Sequence, residues 1–406
     1  MTMTMTMTTP TTSTNPSEKP LPTELFVFID ALGWQTVSRT GFLADLLPER
    51  RPLDMQFGYS CTAIPTLLSG RRPSEHGHLG LFVYDPAHSP FRWLSRLAPL
   101  FRPRSLWNRG RVRHWLSRLV RLVHGYTGYF QLYRMPLEKL GLMDYGEKRD
   151  LFAAHGLAPF DNLHDVLART TLHWHISNWR HGDQASLDDA ENALRNGAQF
   201  LFVYTAELDG LLHQHVRQPD VIDKKLRWCE QRLTRLAELA RQLRGGCRLT
   251  VISDHGMTPL AASVDLMAAI EQTGLRFGLD YAACYDSTMA RFHFLAPHAR
   301  DAILNALRPF ADRGHLLSDD EQRRYGILRD DHRFGDAIFL MNPGIQIAPS
   351  DMGEQPLPGM HGFAPEDPDS TAAILSSDAI PPDIRSIADV FSLMTQRIRQ
   401  LQQHTN

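Results

Sequence analysis

Three short apolar runs, each followed by an acidic residue, constrain the fold of this chain more than any other feature of its sequence. The runs are residues 25–29, 199–204 and 249–253, and the acids are Asp30, Asp209 and Asp254. Strands that are nearly continuous in apolar residues are buried on both faces, as in parallel sheets. Because ligands of open α/β sheets bind beyond the carboxyl ends of the strands, the three acids point to a site at that edge.

Helical patterns lie between and after these runs, over residues 186–196, 221–243 and 387–401. Two further apolar runs, residues 337–340 and 372–375, read as strands. This alternation is typical of a parallel sheet with crossover helices, and so of the α/β class.

Composition excludes several classes of protein. The chain has 406 residues, is 43% hydrophobic and 22% charged, and carries a formal net charge of −2, so it can build a large core and is neither disordered nor collagen-like. Its four cysteines form no C-x-x-C pair, which argues against a disulfide framework and a thiolate zinc finger. Its 19 histidines favour metal binding, because imidazole is the commonest neutral metal ligand.

The first 23 residues alternate Met and Thr and then continue with Thr, Ser, Asn and Pro. They contain no basic segment followed by an apolar one, so we expect a disordered tail over residues 1–23 and neither a signal peptide nor an anchor. No run of 18 apolar residues occurs. The expected location is therefore the cytoplasm.

One segment differs in composition from the rest. From Pro86 to Leu137 there are ten Arg and no Asp, Glu or Lys. The segment lacks the strand and helix rhythm of the sheet, so we expect an inserted helical cap over residues 86–150.

The middle of this cap predicts an amphipathic helix, whose apolar face carries Trp115, Leu119, Leu122 and Val123. Arg111, Arg118 and Arg121 flank that face. Such a helix could be a solvated one that packs on the core. It could instead contact an anionic membrane, or hold a phosphorylated substrate with an apolar tail. Nucleic acid is disfavoured, because no nucleic-acid-binding motif accompanies the charge.

Several residues could ligate a metal. Asp209 and His213 are four residues apart and would share one face of a helical turn, although such pairs are also common on solvated helix faces. Asp254-His255 ends a strand before a glycine that lets the chain turn, where a buried, hydrogen-bonded His is the alternative. His361 is a loop histidine that indicates little by itself.

Ser60 begins a short helical pattern that ends at Gly70. We expect Ser60 to be the N-cap of that helix. A hydroxyl at a helix N-terminus faces free N–H groups and the positive end of the helix dipole, where a phosphate would bind. A metal there could hold the hydroxyl as the alkoxide, which would make Ser60 a nucleophile.

Taken together, these motifs resemble the alkaline phosphatase superfamily, and within it the nucleotide pyrophosphatase/phosphodiesterase branch. That family has a nucleophile ten residues before the Gly of a T/S-G-x-x-P-x-x-H-G segment, and counting back from Gly70 gives Ser60. Its remaining motifs, an early strand ending in Asp, D-x-x-x-H, D-H-G-M and a late H-G, are matched in order by Asp30, Asp209 with His213, residues 254–257 and His361 with Gly362.

The resemblance implies two divalent metal ions. Asp30, Ser60, Asp254 and His255 would surround one ion, and Asp209, His213 and His361 would surround the other. This mixture of nitrogen and oxygen ligands suits catalytic Zn²⁺, with Mn²⁺ as the alternative. The reaction implied is an in-line displacement through a phosphoryl-Ser60 intermediate.

The sequence departs from the family pattern in two places. At the nucleophile, the phosphodiesterase branch usually has T-x-P-N-H, whereas residues 60–64 of this chain read S-C-T-A-I. Where the phosphodiesterase branch has an Asn that holds a phosphate oxygen, this chain has Leu81, so His78 or a cap arginine (Arg111, Arg118 or Arg121) is expected to bind the phosphate. Cys61 and Thr62 remain rivals to Ser60 as the nucleophile. The residues after Ser60 do not fit a sulfatase, and the following segment is too short for the inserted domain of phosphoglycerate mutase.

We therefore expect a three-layer α/β/α hydrolase over residues 24–406, with a mostly parallel central sheet, acting on a phosphodiester or pyrophosphate. A phosphomonoesterase is the enzymatic alternative, and a catalytically inactive membrane-surface or partner-binding protein is the non-enzymatic one. The expected partner is a phosphorylated small-molecule or lipid-linked substrate, with peripheral contact at the inner membrane surface through the cap.

Overall fold

The computed structural model describes residues 22–97, 107 and 109–403. Residues 1–21 of the expected tail, and Arg102 and Arg104 of the cap, lie outside the described residues. Thr23, assigned to the tail from the sequence, instead begins the first strand, where it is fully buried.

Strands and helices alternate along most of the chain. The strands are β1 (Thr23–Ile29), β2 (Glu49–Leu53), β3 (Phe82–Tyr84), β4 (Met143–Tyr145), β5 (Trp174–Ile176), β6 (Phe200–Thr205), β7 (Cys247–Ile252), β8 (Thr258–Pro259), β9 (Ala262–Val264), β10 (Tyr281–Tyr285), β11 (Met289–Phe294), β12 (Gly314–Leu316), β13 (Ala337–Met341), β14 (Ile345–Ile347), β15 (Gly359–Met360) and β16 (Ala372–Ser376). The α-helices are α1 (Trp34–Thr40), α2 (Ser60–Ser69), α3 (Pro73–His76), α4 (Arg92–Arg96), α5 (Gly110–His124), α6 (Leu137–Leu140), α7 (Leu163–Ala168), α8 (Asp183–Arg195), α9 (Glu207–His215), α10 (Pro219–Arg244), α11 (Leu266–Glu271), α12 (Pro297–Leu307), α13 (Asp319–Arg324) and α14 (Val390–Gln403).

The central sheet has six strands in the order β2-β16-β7-β1-β6-β5. Strands β7, β1, β6 and β5 run parallel to one another, whereas β16 is antiparallel to both of its neighbours. The prediction of a mostly parallel sheet is therefore confirmed. Because β1 lies between β6 and β7, the ends of the three apolar runs are adjacent.

Helices cover both faces of this sheet. Leu25, Val27 and Ile29 of β1 pack into a core with α1, α8, α9 and α10. Phe26 and Phe28 point to the opposite face and pack with α2, α7 and α14. Side chains alternate across a strand, so one fully apolar strand fills both cores. The three-layer α/β/α arrangement is thus confirmed.

A second sheet was not predicted from the sequence. Strands β10, β11, β13 and β12 form a four-stranded antiparallel sheet, which packs against α11 and α12. The run at residues 337–340 belongs to this sheet and not to the central one. A short apolar run predicts a strand, but it contains no information about which sheet the strand joins.

The described residues of the Arg-rich cap contain the helices α4, α5 and α6, and they also contain β4, which pairs antiparallel with β3. Helix α5 buries Leu116 and Val120. Its other apolar stripe (Trp115, Leu119, Leu122 and Val123) is exposed, with 67% of Trp115 and 80% of Leu122 accessible to solvent. Packing of this stripe on the core, one of the alternatives that the sequence left open, is therefore not what the structure shows. No helix among the described residues is long and apolar enough to cross a bilayer.

Candidate active site

Acidic side chains meet at the carboxyl edge of the central sheet. Asp30 follows β1, Asp209 lies in the first turn of α9 after β6, and Asp254 and His255 lie just beyond β7. Ligand atoms of Asp30, Asp209 and His255 lie within 4.8 Å of one another. His255 Nε2 is also 3.1 Å from Asp254 Oδ2. Asp30, Asp209 and Asp254 therefore lie close together at this edge, as the positions of the strand ends predicted.

A second group contains Asp209, His213 and His361, whose ligand atoms also lie within 4.8 Å of one another. Asp209 and His213 occupy one face of α9, and their Oδ2 and Nε2 atoms are 3.5 Å apart. His361 follows β15, and its Nε2 is 3.6 Å from Asp209 Oδ1. Asp209 belongs to both groups, so the two candidate metal sites adjoin.

Close backbone packing brings His255 to this edge. A Cβ atom at Gly256 would lie only 2.1 Å from the carbonyl oxygen of Asp369, so a larger residue would displace the loop. The role of Gly256 is therefore to permit this close approach, and not the turn expected from the sequence. Beyond it, β8 pairs with β15, and the rings of His255 and His361 stack with centroids 3.8 Å apart.

The electrostatics of the site show an excess of negative charge. Burial raises the pKa of Asp30, and the carboxylates of Asp254 and Asp209 raise it further. Burial lowers the pKa of His255, but the carboxylates of Asp254, Asp30 and Asp209 outweigh it and raise that pKa to about 10. A bound cation would supply the compensating charge that these buried carboxylates need.

The donor atoms fit a metal ion. Buried Asp209 Oδ1 and His361 Nδ1 find no hydrogen-bond partner among the described residues. Burial, together with the nearby His255 and His213, lowers the pKa of His361 well below its usual value, so its imidazole is neutral. Neutral imidazole and carboxylate oxygens are the ligand types of catalytic Zn²⁺ and of Mn²⁺ sites. The seven residues expected to ligate metal therefore lie at one site.

Ser60 is the first residue of α2, and Tyr59 is its N-cap. The expectation that Ser60 caps the helix is therefore wrong by one residue. Ser60 Oγ lies 3.1 Å from His255 Nε2 and 3.4 Å from Asp30 Oδ1. Thr62 and Ala63 donate their N–H groups to the Tyr59 carbonyl. The N–H groups of Ser60 and Cys61 precede these hydrogen bonds, so they can face a phosphate oxygen.

The two rival nucleophiles have different surroundings from Ser60. Thr62 is fully buried, and its hydroxyl donates to the carbonyl oxygen of Leu79 at 2.8 Å. Burial, and then the charges of Glu147 and Asp286, raise the pKa of the Cys61 thiol. A thiol with a raised pKa is a poor nucleophile near neutrality. The geometry therefore favours Ser60.

A cavity of about 640 Å³ opens over these residues. The acids that line it are Asp30, Glu147, Asp209 and Asp286, and the aromatic residues are Tyr59, Tyr129, Tyr133, Phe152, Trp179 and Tyr204. Among the described residues that line it, none is Lys or Arg. Leu81 does line it, so an apolar side chain stands where the resemblance leads one to expect Asn.

The four residues expected to bind the phosphate are not at the cavity. His78 is absent from its lining, and burial lowers the pKa of that imidazole to about 4. Arg111, Arg118 and Arg121 lie on the exposed side of α5 and likewise do not line the cavity. The structure therefore does not bring these four side chains to the candidate metal ligands.

Sequence reasoning missed Tyr204, whose hydroxyl donates to Asp30 Oδ2 at 3.2 Å. A tyrosine near the end of an otherwise apolar strand was the available signal, because a buried phenol needs a polar partner. Glu147 and Trp179 were also missed. Neither has a distinctive neighbour in the sequence, and the folding of the cap brings Glu147 to the cavity.

Comparisons with known proteins agree with this geometry. The sequence model of the type I phosphodiesterase/nucleotide pyrophosphatase family matches residues 25–364. Murine ectonucleotide pyrophosphatase/phosphodiesterase 5 has a similar structure, with a TM-score of 0.62 and 14% sequence identity over 93% of this chain and 95% of that chain. The human protein of the same name gives the same TM-score and coverage, with 12% identity.

A third solved structure is an inactive variant of the murine protein in complex with AMP. It matches with a TM-score of 0.62 and 13% identity, again over 93% of this chain and 95% of that one. No curated protein sequence matches this chain. At these identities the solved structures establish a shared fold.

Proposed function

Because this chain belongs to the type I phosphodiesterase/nucleotide pyrophosphatase family of metal-dependent hydrolases, we propose that it cleaves a phosphodiester or pyrophosphate bond with Ser60 as the nucleophile. One observation carries the proposal. Ser60 Oγ, at the N-terminus of α2, lies within 3.5 Å of a buried carboxylate and of a buried imidazole that belong to the candidate metal sites.

We propose two divalent ions, Zn²⁺ first and Mn²⁺ as the alternative. The first would be held by Asp30, Ser60, Asp254 and His255, and the second by Asp209, His213 and His361. When bound, such ions make the serine hydroxyl more acidic and neutralise charge on the leaving oxygen. The sharing of Asp209 between the two groups supports adjoining sites.

The residues of the chain perform a two-step displacement. Ser60 Oγ gives its proton to water and attacks phosphorus, the bond from phosphorus to the leaving oxygen breaks, and the leaving oxygen takes a proton from water. Water then attacks the phosphoryl-serine, and the Ser60 oxygen leaves with a proton. The N–H groups of Ser60 and Cys61 can donate to a phosphate oxygen during both steps.

The experiment is a paired assay on purified protein, with a p-nitrophenyl phosphodiester and p-nitrophenyl phosphate as substrates and with metal content measured in parallel. We expect faster hydrolysis of the diester and about two equivalents of metal per chain. Faster hydrolysis of the monoester would favour the phosphomonoesterase. Absence of both metal and hydrolysis would favour a binding protein on the same scaffold.

We further propose that α5 contacts an anionic membrane. Its exposed apolar stripe adjoins a basic stripe of Arg111, Arg118 and Arg121. This pairing is typical of helices that lie in the membrane interface, because apolar side chains enter the acyl region while Arg attracts anionic headgroups. If the protein is cytoplasmic, as its sequence leads us to expect, the surface would be the inner membrane face and the substrate could be lipid-linked.

A further inference from the structure

Asp367 is a buried acid that lies outside the cavity. It is only 7% exposed and does not line the cavity. Its Oδ2 accepts hydrogen bonds from the hydroxyls of Thr258 at 2.5 Å and Ser370 at 2.8 Å, and its Oδ1 accepts one from the N–H group of Asp369 at 3.3 Å. A buried carboxylate is costly unless such bonds hold it, so the position of Asp367 is fixed with respect to these three residues.

Thr258 connects Asp367 to the segments of two candidate metal ligands. It begins β8, three residues after His255. It also pairs with Met360 of β15, the residue before His361. The hydrogen bond from its hydroxyl to Asp367 therefore anchors the pair of strands that adjoins both imidazoles.

Ser370 connects Asp367 to His255 by a second route. The Ser370 carbonyl accepts a hydrogen bond from the Gly256 N–H group at 3.1 Å, and the Gly256 carbonyl accepts one from His255 Nδ1 at 2.9 Å. Both backbone polar groups of Gly256 are thus engaged, which fixes the carbonyl that orients the imidazole. The opposite ring nitrogen, Nε2, is the one that lies 3.1 Å from Ser60 Oγ.

The 3-10 turn that follows Asp367, Pro368–Ser370, also adjoins the segment after β1. The carbonyl of Thr371, the next residue, accepts a hydrogen bond from the N–H group of the first residue of α1 at 2.9 Å. A Cβ atom at Gly33 would lie 2.5 Å from the Gly256 Cα atom, so these two backbone segments pack without room for a side chain. A shift of the turn would therefore reach both segments that carry ligands of the first candidate metal site.

We propose that Asp367 is a positioning residue for the candidate metal sites. Through Thr258 and Ser370 it holds the backbone that orients His255 and His361, without itself contacting an ion, the substrate or the nucleophile. Residues that orient metal ligands typically contribute about 10- to 100-fold to metal affinity. The proposal rests on the function proposed above and extends it to a residue that no sequence motif identified.

The pattern of donors explains why a carboxylate suits this position. A carboxylate only accepts hydrogen bonds, so both hydroxyls donate to it and all three donors find an acceptor. An Asn amide in the same place offers one oxygen and one NH₂ group. Either the two hydroxyls or the Asp369 N–H group would then face a donor. Asp367→Asn therefore disturbs the anchor with almost no change in side-chain volume.

The first test measures metal affinity, by competition for Zn²⁺ with a chromophoric chelator at a temperature at which the variants are folded. We expect Asp367→Asn to bind Zn²⁺ about 10-fold more weakly than the wild-type protein. Asp389→Asn is the matched control and should keep the wild-type affinity. Asp389 also accepts from a serine hydroxyl, that of Ser386 at 2.9 Å, and from backbone N–H groups, but it lies outside both candidate metal groups.

Two substitutions at Thr258 separate positioning from a general effect on the fold. Thr258→Val removes the hydroxyl but keeps the shape, so it should lower Zn²⁺ affinity as Asp367→Asn does. Thr258→Ser keeps the hydroxyl and should retain most of the wild-type affinity. Excess Zn²⁺ should also recover much of the diester hydrolysis lost in Asp367→Asn, because the nucleophile and the ligands are intact.

Wild-type Zn²⁺ affinity in folded Asp367→Asn, even with a lower Tm, would overturn the positioning role and leave only a structural one. If that variant does not fold, equal Zn²⁺ affinity in Thr258→Val and Thr258→Ser would overturn the role in the same way. Weakened Zn²⁺ binding in these variants of a protein that hydrolyses no ester would retain the role and overturn only the proposed reaction. Hydrolysis with unchanged affinity in all variants would do the reverse. A wild-type protein that binds neither Zn²⁺ nor Mn²⁺ would overturn both.

Discussion

Ser60 Oγ lies 3.1 Å from His255 Nε2, and the other ring nitrogen of His255 lies 2.9 Å from the Gly256 carbonyl oxygen. A carbonyl only accepts, so Nδ1 carries the proton that it donates, and Nε2 faces Ser60. His213 has the same arrangement, with Nδ1 2.9 Å from the Gly359 carbonyl. A hydrogen bond from one ring nitrogen to a backbone carbonyl oxygen is a common way in which proteins orient a metal-binding imidazole.

Metal removal should lower both activity and thermal stability. The buried carboxylates repel one another without a cation, and metal at about 100 times its Kd would add about 2.7 kcal/mol to the free energy of unfolding. We expect chelation to abolish diester hydrolysis and to lower the Tm, and Zn²⁺ or Mn²⁺ to reverse both. His213→Ala should lose most of this Tm shift, whereas His215→Ala, half-buried on the same helix and outside both candidate metal groups, should keep it. An unchanged Tm and full activity in chelator would contradict the metal sites.

Tyr204→Phe tests whether the hydrogen bond to Asp30 positions that carboxylate. We expect metal affinity to fall by about 10-fold, because groups that orient a ligand typically contribute 10- to 100-fold. The measurement is competition with a chromophoric chelator. Tyr325→Phe is the matched control, since it removes a tyrosine hydrogen bond to Glu366 instead. Equal loss of affinity in both variants would indicate a general effect on stability.

The raised pKa of Glu147 predicts how stability depends on pH. Its pKa is about 8 in the folded protein and near 4.5 in the unfolded one, so between these values the folded state holds a proton that the unfolded state releases. The free energy of unfolding should therefore fall as pH rises, by up to about 1.4 kcal/mol per pH unit from this group.

Glu147→Gln replaces this titrating carboxyl group with a neutral amide, so the variant is the reference for the pH dependence of the wild-type protein. Urea unfolding between about pH 5 and pH 8 should show wild-type stability falling relative to the variant as pH rises. A constant difference across the range would show that Glu147 is ionised in the folded protein throughout.

Vesicle binding tests the membrane surface on α5. Replacing Arg111, Arg118 and Arg121 with Gln should weaken sedimentation with phosphatidylserine-containing vesicles, because each basic residue contributes about 1 kcal/mol near such a surface. Leu122→Ser should weaken it at high salt as well, since its contribution is apolar. Hydrolysis of a small diester should be unchanged in all of these variants. Failure of the wild-type protein to bind anionic vesicles would contradict the proposal.

The fold and the candidate metal ligands could be predicted from the sequence for a physical reason. Strands β1, β6 and β7 are buried on both faces, so each appears as a nearly continuous apolar run, and the acid that follows each run lies at the same edge. His213 follows from helical spacing relative to Asp209. His361 could be assigned only through the family pattern, because a loop residue has no periodicity.

The side chains that line the cavity around Ser60 could not be predicted from the sequence in this way. Tyr129 and Glu147 reach the cavity through the tertiary packing of the cap, which local patterns do not encode. The sequence left open whether helix α5 packs its Trp115 stripe on the core, and in the structure another face, with Leu116 and Val120, packs inward. Both faces carry apolar residues, so the sequence pattern did not identify the buried face.

The most direct test of the proposed mechanism is to trap the covalent intermediate in which Ser60 carries the phosphoryl group of the substrate. The protein would be mixed with excess p-nitrophenyl diester, quenched in acid within the first turnovers, digested and examined by mass spectrometry. We predict that a stoichiometric burst of nitrophenolate accompanies the mass of the substrate's phosphoryl group on Ser60, and that Ser60→Ala lacks both, with kcat lowered by roughly 1,000-fold or more. The same mass on Cys61 or Thr62, or a full burst with Ser60 unmodified, would contradict the assignment of Ser60 as the nucleophile.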